Sequence, residues 1–132
     1  SGPRTNPWMQ ESSDRLIRSS ELVAFDTDMI GPNGYCADIS SPYYCGEGRP
    51  SDEQRRLYKA AYGQIQHNMS IFKLGRTLRD IVSNEWVCPE KYLPYRYGVG
   101  RGQGVKLEEQ IVMTYNGCDV LSSFEFDTAL MP

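Results

Sequence analysis

Residues 25–40 read FDTDMIGPNGYCADIS, and this stretch decides the fold. The cluster Gly31-Pro32-Asn33-Gly34 is a turn signal, and extended, partly apolar sequence lies on both sides of it. The pattern therefore predicts a β-hairpin. If the turn is centred on Asn33, Asp28 lies opposite Asp38, because the two aspartates are equally far from the centre.

Three carboxylates fall on this hairpin in a pattern that suits a metal ion. Asp26 and Asp28 are two positions apart and share one face of the strand, while opposed residues such as Asp28 and Asp38 have Cβ atoms about 5 Å apart. Like charges so close are destabilising, and a bound cation relieves them. Oxygen donors suit divalent iron, manganese, magnesium or zinc, and bridging carboxylates could hold two ions. On spacing alone, a solvated acidic hairpin is the simpler interpretation.

The middle of the chain predicts two helices. Ser51 is a suitable N-cap, and apolar residues recur at steps of three or four from Leu57 to Phe72, which indicates a helix of about six turns. Gly75 is predicted to end it. Thr77 is predicted to cap a shorter helix that runs through Glu85.

The last third of the chain predicts a second hairpin. Apolar and polar residues alternate from Val105 to Tyr115, as in a half-buried strand, and Asn116-Gly117 is a strong hairpin-turn signal. Cys118 to Phe124 should form the returning strand. The order of two strands, two helices and two strands defines an α+β fold class, with antiparallel hairpins packed against one long and one short helix.

Composition sets the broad class of protein. The chain has 132 residues with 39% apolar residues, which is enough for one domain with one core. Its formal net charge is −3 with interleaved signs, so neither nucleic acid nor an anionic membrane is an expected partner. No stretch approaches the roughly 20 apolar residues of a membrane span, and a cytoplasmic protein is expected.

Two further regions carry expectations about packing. Residues 1–20 contain prolines and polar residues and are predicted to be irregular rather than packed. The four cysteines have no C-x-x-C spacing, so they are expected to be reduced and mostly buried.

The stretch at residues 25–40 resembles the first metal hairpin of the pita-bread metallopeptidase, creatinase and prolidase superfamily, and within it is most similar to the dimethylsulfoniopropionate lyases. The similarity extends to residues 1–8, 52–58 and 104–110. It implies a partial pita-bread (creatinase/aminopeptidase-like) fold. It also implies that Asp26, Asp28 and Asp38 are metal ligands, joined by Glu108 of the late strand. Glu109 has the other parity and is the weaker candidate.

The resemblance further implies groups that this chain lacks. The family has a ligand histidine shortly after a Tyr-Gly-Val segment and a further ligand glutamate on a later strand. Residues 97–99 match that segment, but the chain soon continues into the late strand, so a deletion between about 99 and 104 is predicted. Residues 1–132 are then a single, incomplete domain. His67, the only histidine, is interpreted as a polar residue beside the apolar stripe of the long helix.

The implied activity is a metal-dependent elimination that yields dimethyl sulfide and acrylate from a small-molecule substrate. Tyr97 matches the family tyrosine that contacts the sulfonium cation, and Trp8 is a weaker candidate for a pocket wall. The catalytic base of the lyases falls in the missing segment, so no catalytic residue is assigned and impaired activity is expected.

Two alternatives stay open. One is an Xaa-Pro peptidase-like metallohydrolase, and the other is a non-catalytic fragment that acts only in metal binding or in association with another chain. The missing strands would leave unpaired sheet edges, so a homodimer is a possible assembly.

Overall fold

The computed structural model of the protein describes residues 1–6, 8–9, 11–95 and 102–131. Its strands and helices follow the predicted order, so the α+β class is confirmed. They are β1 (Glu21–Ile30), β2 (Cys36–Cys45), α1 (Asp52–Ile71), α2 (Leu78–Ser83), β3 (Ile111–Thr114) and β4 (Gly117–Val120), with short 3-10 turns at Gly2–Thr5, Pro32–Gly34 and Glu90–Tyr95.

The first hairpin has the predicted register. Strands β1 and β2 pair antiparallel along their full lengths, with Asp28 opposite Asp38 and Asp26 opposite Ser40. Asn33 and Gly34 both have positive φ, at 62° and 79°, a region that asparagine and glycine enter at low cost. The turn residues therefore set the register that brings the two strands' aspartates level.

Both helices begin where the sequence predicts, and both end earlier. The Ser51 side chain accepts a hydrogen bond from the Gln54 backbone, and the Gln54 side chain accepts one from the Ser51 backbone. Thr77 caps α2 in the same way. The prediction that Gly75 ends α1 is wrong, because the helix stops at Ile71 and Gly75 (φ 82°) lies in the following turn.

The late strand is shorter than predicted. Strands β3 and β4 pair over four residues each, and residues 105–110 lie outside them. This segment runs instead beside the first hairpin, where the Glu108 N–H donates to the Ser40 carbonyl at 2.9 Å. Alternating polarity predicts a half-buried extended segment without specifying its partner, and here β2 is the partner.

A small core lies at the base of the first hairpin. Leu22, Tyr58 and Leu130 are fully buried. The Asp127 N–H donates to the Tyr58 hydroxyl at 3.1 Å, and the Asp127 carboxylate accepts from the Tyr44 N–H at 2.7 Å. The C-terminal segment thereby joins α1 to β2.

The first residues are packed, contrary to prediction. Thr5 and Asn6 are buried, with 6% and 3% of their surface exposed. The Gly104 N–H donates to the Thr5 hydroxyl at 2.9 Å, and Asn6 forms an isolated bridge with Gly102. These hydrogen bonds hold the N-terminus against the segment that leads to Glu108.

The cysteines are all free, but the prediction that most are buried is wrong: Cys36 is exposed and the other three are half-buried. None of the helices in the described part of the chain is long and apolar enough to cross a bilayer.

Candidate metal centre

Three carboxylates converge where the first hairpin meets the 105–110 segment. Asp26, Asp38 and Glu108 each place one oxygen within 4.8 Å of the other two. Asp26 lies on β1 and Asp38 on β2, while the backbone of Glu108 bonds to Ser40 of β2. The structure therefore brings together three of the four ligands predicted from the sequence.

Asp28 is not part of this converging group. It is exposed on the outer half of the hairpin, although it faces Asp38 across the strands. Glu108 bonds to β2 at Ser40, which is level with Asp26, so the third carboxylate arrives beside Asp26 rather than beside Asp28. Glu109 also lies outside the group and accepts a hydrogen bond from the Ser122 hydroxyl.

Lys106 lies at the same centre and was missed by the sequence analysis. Its ammonium donates to Asp26 Oδ2 at 3.1 Å and is 3.0 Å from Glu108 Oε1. The ammonium also lies 5.4 Å from the centroid of the Trp8 ring, within cation–π range. A signal existed, because Lys106 is two positions before Glu108 in an extended segment and so has the same parity.

The second oxygens of Asp26 and Glu108 receive no hydrogen bond from the part of the chain that the structure describes. Asp26 Oδ1 and Glu108 Oε2 are buried and lack a hydrogen-bond partner among the residues that the structure describes. Leaving a buried acceptor unsatisfied costs about 1–3 kcal/mol. A cation would satisfy both oxygens, and carboxylate donors suit hard or borderline divalent ions. The residues present therefore fit a divalent metal ion.

Electrostatic coupling at the centre is visible in two pKa shifts. Burial raises the pKa of Glu108, and repulsion from Asp38 and Asp26 adds to it, against the opposing effect of Lys106. Burial disfavours the Lys106 ammonium, but its hydrogen bonds to Glu108 and Asp26 outweigh that effect and raise its pKa. The lysine is thus held in its charged form by the carboxylates it contacts.

A cavity of about 670 Å³ adjoins the centre on the side of Glu108. Lys106 and Glu108 form part of its wall, and the apolar face of α1, including Ile65 and Met69, forms another part. Trp8, the weaker candidate for a pocket wall, also lines the cavity. The site therefore combines a charged edge with an apolar and aromatic interior.

His67 does not contribute to this geometry. His67 is exposed on α1, and its Nε2 lies 2.9 Å from the Asn84 carbonyl, as expected of a surface polar residue. Tyr97, the predicted substrate contact, lies outside the described residues.

The hairpin, the converging carboxylates and the adjoining cavity define a candidate metalloprotein of the carboxylate-ligand class. The model of metallopeptidase family M24 matches residues 1–125, so the chain belongs to this family. Its fold is accordingly a partial pita-bread fold, and proteins of the family depend on metal.

Individual relatives include lyases and peptidases. The chain is 30% identical to the dimethylsulfoniopropionate lyase DddP of Roseovarius nubinhibens and 26% identical to that of Roseobacter denitrificans, over 99% of this chain and 39% of each relative. It is 24% identical to an uncharacterised peptidase of Staphylococcus aureus, over 85% of this chain and 42% of the relative. The chain thus spans about two fifths of the length of these relatives.

Proposed function

We propose that this domain binds a divalent metal ion through Asp26, Asp38 and Glu108, with Asp28 as an outer candidate ligand. The observation that carries the proposal is the convergence of the three carboxylates, two of which have a buried oxygen without a donor among the described residues. Iron, manganese and zinc all accept this donor set.

The reaction class proposed is that of the dimethylsulfoniopropionate lyases. Two relatives with that name align with almost the whole chain, and the cavity beside the carboxylates has aromatic walls suited to a small cationic molecule. A bound divalent ion would act as a Lewis acid toward a substrate oxygen. Tyr97 remains the proposed substrate contact. The runner-up is an Xaa-Pro peptidase-like hydrolase, which the family and the staphylococcal relative favour.

We propose further that turnover is impaired, because residues 1–132 form a single, incomplete domain with a deletion between about 99 and 104. Alignments with both lyases extend over 175 positions, more than the 132 residues present here, which supports an internal gap. The apolar face of α1 borders the cavity. Loss of a segment that packs on α1 would expose such a face. His67 bonds elsewhere and does not replace a missing ligand.

A non-catalytic role in metal binding or association is the remaining alternative. Exposed apolar side chains such as Ile30 (78%), Leu78 (80%) and Tyr115 (96%) favour self-association, so a homodimer belongs to this proposal. For the lyase-like role we propose a small-molecule substrate. For either role we propose a cytoplasmic location, with neither nucleic acid nor a membrane as partner.

One set of measurements tests these proposals. The purified chain is analysed for bound metal, for dimethyl sulfide release from dimethylsulfoniopropionate, and for cleavage of an Xaa-Pro dipeptide. We expect bound metal with little or no product. Asp38→Asn should lose the metal, whereas Asp119→Asn, which changes an exposed carboxylate on β4, should retain it. Absence of metal from the wild type after loading would refute metal binding, and full turnover would refute impairment.

A further inference from the structure

We propose that Ser40 is a positioning residue of the metal centre, whose hydroxyl donates a hydrogen bond to Asp26 Oδ1 and so fixes the orientation of that carboxylate toward a bound ion. The inference rests on the proposed metal binding and adds to it a neutral group that was not among the predicted ligands. Ser40 acts through Asp26 and has no direct part in catalysis.

Ser40 lies in the middle of a row of residues that crosses three neighbouring segments. It faces Asp26 of β1 on one side and forms a bridge with Glu108 on the other. Directly opposed residues of an antiparallel ladder project from the same face, and Asp38, two positions before Ser40 on β2, shares that face. The serine side chain therefore projects among the three carboxylates of the centre.

The ladder geometry shows which carboxylate is the nearer acceptor. The Ser40 carbonyl accepts the Glu108 N–H at 2.9 Å, so the backbone polar groups of Ser40 point toward Glu108 and away from β1. Ser40 and Asp26 are then a non-hydrogen-bonded pair, with Cα atoms about 4.5 Å apart, against about 5.5 Å in a hydrogen-bonded pair such as Ser40 and Glu108. The aspartate is also the shorter side chain. Asp26 is therefore the acceptor that the serine hydroxyl reaches first.

Both partners have unmet hydrogen-bonding capacity. Ser40 is 1% exposed, and its hydroxyl has no partner within the described ranges of the chain. Asp26 Oδ1 is buried and likewise receives no hydrogen bond there. One hydrogen bond between them removes two desolvation costs, and it needs only rotation of two short side chains in a close pair. A carboxylate oxygen has two lone pairs, so Oδ1 can accept from Ser40 and bind an ion at the same time.

The next residue on β2 supplies a matched control. Ser41 is the same residue type and is also buried, with 3% of its surface exposed. It faces Phe25 rather than Asp26, so its side chain lies on the opposite face of the hairpin. Loss of a buried serine hydroxyl can thus be compared on the two faces of one strand.

The test measures Mn²⁺ affinity of the full chain and its variants by titration calorimetry. Ser40→Ala should weaken binding by about 10- to 100-fold, the usual effect of removing a hydrogen bond to a metal ligand. Ser40→Thr, which keeps the hydroxyl, and Ser41→Ala should stay within about threefold of the wild type. The electron paramagnetic resonance spectrum of bound Mn²⁺ should change in Ser40→Ala alone, because the orientation of Asp26 is part of the ion's surroundings.

Urea denaturation of the chelator-treated variants separates this role from a purely structural one. Ser40→Ala should keep or raise the urea midpoint, because it removes a buried hydroxyl without a partner in the described part of the chain. A lower midpoint that accounts for the weaker binding would overturn the proposal.

The other outcomes are equally distinct. Wild-type affinity and spectrum in Ser40→Ala, or an equal loss of affinity in Ser40→Thr or Ser41→Ala, would overturn the role of Ser40 and leave metal binding intact. No saturable Mn²⁺ binding by the wild type would instead refute the proposed function. If Ser40→Ala does not fold, Ser40→Cys takes its place, because a thiol of similar size is a weak donor and should lose affinity in the same way.

Discussion

The two halves of α1 belong to one amphipathic helix but lie in different surroundings. In the first half, Gln54 and Tyr58 are buried against the base of the metal hairpin and the C-terminal segment. In the second half, Ile65 and Met69 are half-buried and border the cavity. The same apolar periodicity thus supports the hairpin at one end of the helix and an open face at the other. Helical periodicity predicts which face is apolar, whereas tertiary packing decides whether that face is covered.

The largest expected effect is at the supported end. Leu22→Ala should lower the free energy of unfolding by about 2–5 kcal/mol, because Leu22 is fully buried in the small core. Urea denaturation measures the change. Leu78→Ala, at a side chain 80% exposed, is the control and should stay within about 0.5 kcal/mol of the wild type. Similar values for the two variants would contradict a core located at the hairpin base.

Bound metal should stabilise the hairpin end by an amount comparable to the loss expected for Leu22→Ala. At about 100 times its Kd, Mn²⁺ should raise the free energy of unfolding by about 2.7 kcal/mol, because it binds only the folded arrangement of carboxylates. Urea curves with and without Mn²⁺ provide the measurement. Asp38→Asn should show no such gain, and equal stabilisation of that variant would place the bound ion elsewhere.

A smaller effect is expected at the open end of α1. Ile65→Ala should cost about 1 kcal/mol or less, since the side chain borders a cavity and loses few contacts on truncation. The same denaturation assay applies. A loss as large as that of Leu22→Ala would mean that this face is covered in solution, and a dependence of stability on protein concentration would identify a second copy as the cover.

The smallest effect concerns the cap of α2. Hydrogen bonds from the Thr77 backbone and hydroxyl hold the pKa of Asp80 below its ordinary value. A carboxylate whose pKa is lower in the folded state adds stability above its unfolded pKa of about 3.9 and loses it as the pH falls through the folded pKa. Asp80→Asn should therefore lower Tm slightly at pH 7, with a difference that shrinks in acid. A difference independent of pH would contradict this origin.

How well the sequence predicted each element depended on how far apart in the chain its interacting residues lie. The hairpin register and both helix starts were predictable, because the turn at Asn33 and the caps at Ser51 and Thr77 involve residues a few positions apart. The extent of β3 was not, since alternating polarity could not show that residues 105–110 pair with β2. For the same reason the burial of Thr5 and Asn6 was unexpected.

The features of the candidate centre likewise divide into those set by local sequence and those set by tertiary structure. The sequence by itself determined that Asp28 faces Asp38 and that residues 25–40 form an acidic hairpin, because both follow from a local turn. Only the tertiary structure selected Asp26 as the partner of Asp38 and Glu108, and only it placed Lys106 between Asp26 and Glu108. That contact joins residues 80 positions apart, so it depends on the path of the whole chain rather than on local propensity.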